Sequence, residues 1–167
     1  MAQRAVEDAD HPVELAPHAP GRARYDDDLY TWVQEQVALL RAGDVAALDL
    51  ANIAQELGDV GASIDHRLES SLRVLLMHML KWDQQPEHRT KSWLYSIREQ
   101  RRRYERLLRK NPGLKSRIDE ARDAAYPNAR DWASEETDLV PEDFPPTCPY
   151  DWDDILARPF ELDSLKR

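Results

Sequence analysis

Seven cationic side chains crowd one short stretch: Arg98, Arg101, Arg102, Arg103, Arg106, Arg109 and Lys110. Arg98, Arg102, Arg106 and Arg109 step by four, four and three, which sets them along one face of a helix. Such a row neutralises phosphates, so nucleic acid is one ligand that this face fits. Carboxylates at Asp26, Asp28 or Glu56 would then be the acidic groups of a nuclease. The same row also suits internal pairing, because Glu99 precedes Arg103 by four and Glu105 is four from both Arg101 and Arg109. A net charge of −9 opposes nucleic acid at long range, and an acidic protein partner fits the row equally well.

Gln100 interrupts the stripe Trp93, Ile97, Tyr104, Leu107 and Leu108. A buried amide left short of partners costs about 1–3 kcal/mol. If the second and third helices pack antiparallel about the 81–92 connection, His78 faces the level of Trp93–Ile97. Gln100 then lies near Leu75 or Ser71. The register predicts a polar cluster of His78, Gln100 and Arg101, read first as a network that fixes helix register and second as a ligand site.

Catalytic and metal patterns are missing. Ser63, Leu75 and Gln85 stand three residues before His66, His78 and His88, so there is no Glu-x-x-His. No His-Glu-x-x-His, Gly-x-Ser-x-Gly elbow or phosphate-cradling glycine loop occurs. Cys148 lies between Thr147 and Pro149 with no histidine after His88, and reads as an inert thiol. Glu56, Asp59 and Asp65 read as a solvated acidic surface. No catalytic residue, no metal ligand and no cofactor is expected.

These groups need elements to hold them. Asp26, Asp27 and Asp28 suit the start of a first helix, whose stripe runs Leu29, Trp32 or Val33, Gln36, Leu39 and Leu40 to a stop at Gly43. Asp44 suits a short turn and Asp49 a second cap. Ile53, Leu57, Val60, Ile64, Leu68, Leu72, Leu75, Met79 and Trp82 then form one stripe held for nearly nine turns. This predicts an unbroken helix from Leu50 to about Trp82, its apolar edge turned inward against the next helix, with Gly58 and Gly61 as places of bending or close approach. So long an edge predicts a homodimer through it. Ser92 is read as the cap of the third helix. Asn111-Pro112 closes that helix and opens a fourth, striped by Leu114, Ile118, Ala121, Ala125, Ala129 and Trp132, with a kink or break expected at Pro127. Five prolines follow, with Phe144, Tyr150, Trp152, Ile155 and Phe160 apolar enough to dock an extended arm that holds one short helix over 152–157.

With 167 residues there is enough chain for one core. Scarce glycine and phenylalanine, beside abundant Arg, Glu, Leu and Ala, favour helix. A lone cysteine excludes a disulfide framework. No apolar run reaches the ~18–20 residues of a membrane span, and no secretory leader is visible, so the expectation is cytoplasmic, with no membrane partner. Charge is segregated: residues 1–60 carry 4 basic and 12 acidic groups, 91–120 carry 10 and 4, and 131–167 carry 3 and 11. This predicts docking of acidic ends on a basic middle, or a basic face open to an acidic ligand.

The fold class is therefore all-α. A helical bundle over 25–137 is built on a long helix and an antiparallel partner, a flexible tail (1–24) precedes it, and a proline-rich C-terminal arm (138–167) packs on it. Tyr25-Asp26-Asp27-Asp28-Leu29-Tyr30-Thr31-Trp32, Leu75-Leu76-Met77-His78-Met79-Leu80-Lys81-Trp82, Ser92-Trp93, Ile97-Arg98-Glu99-Gln100-Arg101, Asn111-Pro112-Gly113-Leu114, Glu136-Thr137 and Cys148-Pro149 follow in order. On these motifs the chain resembles the bacterial family called domain of unknown function 29 (DUF29). The resemblance implies a helical fold and no particular activity, substrate or cofactor. The functional expectation is a non-catalytic protein-interaction or scaffolding module with an unknown protein partner. The alternative is a nucleic-acid-associated protein, even a nuclease, using the arginine-rich third helix.

Overall fold

The computed structural model describes residues 22–162. The tail expected over 1–24 lies almost wholly outside the described residues, as does the end of the arm. Among the described residues there are five α-helices and no strand: α1 Leu29–Ala42, α2 Leu50–Gln84, α3 Lys91–Lys110, α4 Ile118–Glu135 and α5 Trp152–Leu156. Two compact units divide between Val60 and Gly61, inside α2.

In the first unit Asp28 caps α1, its carboxylate accepting from the Thr31 amide (3.0 Å) and hydroxyl (2.6 Å). These bonds hold its carboxyl below the usual range. Gly43 ends α1 at φ +73°, a conformation that favours glycine. Asp49 then accepts from the Asn52 amide and so caps α2. Tyr25 donates to Glu56, whereas Trp32 and Gln36, further along, both meet Asp49. The two helix segments therefore run antiparallel. Among the described residues of this unit only Trp32 and Gln36 are buried.

The second unit holds the main core. Leu72, Leu75, Leu76, Met79, Ile97 and Ile155 are fully buried. From Leu75 through Trp82 every residue of α2 is buried, so those two turns are covered on all sides. The stripe of α2 does not face inward along its whole length: Leu50, Leu57 and Val60 are 58%, 68% and 57% exposed. The stripe is buried within the second unit, at Leu68, Leu72, Leu75, Met79 and Trp82.

Four local expectations are corrected. Thr90, not Ser92, caps α3, its hydroxyl accepting from the Trp93 amide. Asn111 does not open α4; its side-chain amide donates to the Leu107 carbonyl and closes α3, and a 3-10 turn over Pro112–Ser116 intervenes. Pro127 does not break α4. The ring is exposed and Asp123, whose carbonyl loses its amide partner, is exposed too, so water serves that carbonyl while Ala125, Tyr126, Ala129 and Ala133 hold the helix to the core. Trp132, expected in the stripe, is 37% exposed under the Arg73 guanidinium, and Ala133 packs instead.

Candidate functional site

The arginine row is present as a surface. Arg98, Arg102, Arg106 and Arg109 are all exposed on α3. Glu99 pairs with Arg103 (3.1 Å) and Arg106 (3.4 Å), which lowers its carboxyl below the ordinary range. Among the described residues no ion pair engages Arg98, Arg102 or Arg109. The acidic arm therefore does not dock by covering the row with carboxylates.

Arg101, between those exposed arginines, turns inward and holds the arm. Its guanidinium donates to the carbonyls of Ile155 (2.7 Å), Arg158 (2.8 Å) and Asp154 (2.9 Å) and lies 5.0 Å over Phe160. A planar five-donor fork suits three converging carbonyls, and an ammonium does not. The arm returns a cation the other way: Arg158 pairs with Asp83 of α2, which also accepts from the Tyr150 hydroxyl (2.8 Å). Burial and the Asp83 carboxylate push the Tyr150 phenol far above its usual range.

His78, Gln100 and Arg101 do not share hydrogen bonds; each has its own partners. The Ser71 hydroxyl lies 3.1 Å from Gln100 Oε1 and 3.2 Å from the Gln100 carbonyl. Gln100→Leu should therefore change stability by less than about 1 kcal/mol in urea unfolding, since the hydroxyl keeps the backbone acceptor. A loss above about 2 kcal/mol would show that the amide itself is indispensable.

His78 donates from Nδ1 to the Val74 carbonyl (2.9 Å). Burial, reinforced by the Lys81 charge, lowers its pKa below 6.5 despite that bond. A histidine held neutral in the fold binds its proton more readily once unfolded. Stability is thus complete above about pH 6.5 and falls as pH drops below it. His78→Gln should flatten the melting temperature between about pH 5 and 7; an unchanged slope would remove His78 as the cause.

Sequence reasoning missed the group next to it. Lys81, 3% exposed, donates to Glu136 (2.5 Å) and sits 4.5 Å over the Trp93 ring. Trp93 and Glu136, with His88, Glu135 and Asp138, line an open cleft of about 490 Å³. Lys81 was legible in part: residues 74–82 hold only His78 and Lys81 as polar side chains, and a helix apolar on nearly every side is buried, its lysine included.

Of the residues considered for chemistry, Cys148, Asp28 and Glu56 each have a local partner. Cys148 is half-buried against the Tyr150 carbonyl, and burial raises its thiol pKa. Among the described residues no three His, Cys, Asp or Glu side chains are placed to hold a metal ion. Of the carboxylates considered for a nuclease, Asp28 caps α1 and Glu56 accepts from Tyr25 (2.7 Å). No described helix is long and apolar enough to cross a membrane.

A family model described as Domain of unknown function DUF29 matches residues 24–161. No curated protein and no solved structure matches the chain.

Proposed function

The chain belongs to the DUF29 family, and we propose that it acts as a non-catalytic protein-interaction or scaffolding module of the cytoplasm. The observation that carries this reading is the concentration of exposed apolar side chains. Of the ten large hydrophobic residues that stay exposed among the described residues, seven lie between Leu29 and Val60. A folded unit that keeps so much apolar surface on two helices is shaped to meet another protein. Asp28, Gln36, Asp49 and Glu56 nearby are engaged in caps and hydrogen bonds, which suits a scaffold better than a reaction.

Association with nucleic acid is the second reading, favoured by the exposed and largely unpaired row on α3. Salt titration separates the two. The interaction reading expects no oligonucleotide binding at about 50 mM salt, whereas binding with a steep salt slope, lost in Arg98→Glu/Arg102→Glu, would establish the second. Cross-linking in the native host tests the first directly. Protein partners captured by the wild-type chain should be lost in Leu50→Asp/Leu57→Asp and kept in Arg98→Glu/Arg102→Glu; the opposite pattern defeats it.

A further inference from the structure

We infer that one side of the α1–α2 hairpin is the seat of a basic amphipathic helix of a partner protein. This rests on the interaction reading above and gives the partner its chemistry.

Helical spacing sorts the exposed apolar residues. On α1 the seam toward α2 passes through buried Trp32 and Gln36, and Leu29, Val33 and Leu40 lie roughly a quarter turn round from it. On α2 the seam passes through Asp49 and Glu56, which take the bonds from α1 and Tyr25. Leu50 and Leu57 lie roughly a quarter turn round in the same rotational sense. Because the segments run antiparallel, equal rotations from the seam fall on one side of the pair. Leu29, Val33, Leu50 and Leu57 therefore share a face, a ridged surface of the kind into which an apolar helix stripe packs.

Charge selects the occupant. Residues 22–60 carry eight acidic and three basic side chains. The Tyr25 phenol is pushed up to about 12, first by its bond to Glu56, then by desolvation, and further by the charges of Glu56, Asp59 and Asp26. A two-fold dimer through this face would set the acidic surface against itself, and an anionic polymer would be repelled. A helix with a leucine stripe and Lys or Arg flanks meets both the apolar face and its acidic surround, and gains encounter rate from the field.

The test uses the full chain and two synthetic peptides of about 20 residues, both with leucines at helical i, i+3/i+4, i+7 spacing, one flanked by Lys and Arg and one by Glu. In fluorescence anisotropy the basic peptide should bind at least about tenfold more tightly than the acidic one. Leu50→Asp/Leu57→Asp, both exposed and so harmless to the fold, should cut that affinity by about tenfold or more. Asp26→Asn/Asp59→Asn, which leaves the apolar face intact, should weaken binding several-fold and flatten its salt dependence. Equal affinity for the two peptides, or indifference to both variants, overturns the assignment. So does a homodimer that Leu57→Asp dissolves. If the peptides fail while Leu50→Asp/Leu57→Asp still loses its cross-linked partners, the basic helix is discarded and the interaction module stands. If no partner depends on this face either, both readings fall.

Discussion

Arg101→Ala is expected to free the C-terminal arm and to destabilise the chain by about 3 kcal/mol, the largest effect of any surface-derived arginine here. The three carbonyls that this guanidinium satisfies come from Asp154, Ile155 and Arg158, so one side chain of α3 gathers the end of α5 and the turn that follows it. Its removal leaves those acceptors short of donors beside Phe160 and Ile155, both buried. The arm then gains more from hydration than from docking. Arg101→Lys keeps the charge but not the fork, and should recover less than half of the loss. Urea unfolding gives the energy, and limited proteolysis locates the new cut within 150–162. Arg102→Ala, at the neighbouring exposed position, should leave both unchanged. An Arg101→Ala chain as protease-resistant as wild type would refute the assignment of this residue as the anchor of the arm.

Glu136→Ala is expected to cost about 2 kcal/mol, and Lys81→Met less than about 1 kcal/mol. The asymmetry follows from burial: the Lys81 side chain is 4% exposed and that of Glu136 is 51% exposed. Deleting the carboxylate strands an ammonium whose other contact is the face of Trp93. Deleting the ammonium leaves Glu136 in reach of water and fills the same space with an unbranched apolar chain. Water at the half-exposed glutamate tempers the first number, so the order of the two effects is the sharper prediction. The double variant should match Lys81→Met alone. A double-mutant cycle checks this, and additive losses would mean that the pair does not interact.

Much of the fold was legible because it rests on short-range rules. The caps at Asp28 and Asp49, the stop at Gly43 and the unbroken α2 follow from side-chain oxygens at helix starts, a glycine at a stop and apolar periodicity. Thr90 displaced Ser92 although serine is the better cap, because the choice depends on where the 3-10 turn at Pro86–His88 delivers the chain. The candidate surfaces were legible more unevenly. Spacing put Arg98, Arg102, Arg106 and Arg109 on one face, and all four are exposed. The same spacing gave no reason for Arg101 to differ from Arg102.

The sequence by itself determined that the chain is helical, where its helices are and which face of each is apolar, since propensity, capping and periodicity act within about one turn. Tertiary structure alone decided which apolar faces are covered. Leu57 and Leu72 occupy equivalent places in one stripe, yet one is 68% exposed and the other fully buried. It also turned Arg101 toward the arm and enclosed Lys81 beside Trp93 and Glu136. The physical reason is that burial belongs to pairs of elements: a helix carries its own hydrogen bonds and periodicity, but the surface that removes it from water comes from chain far away in sequence.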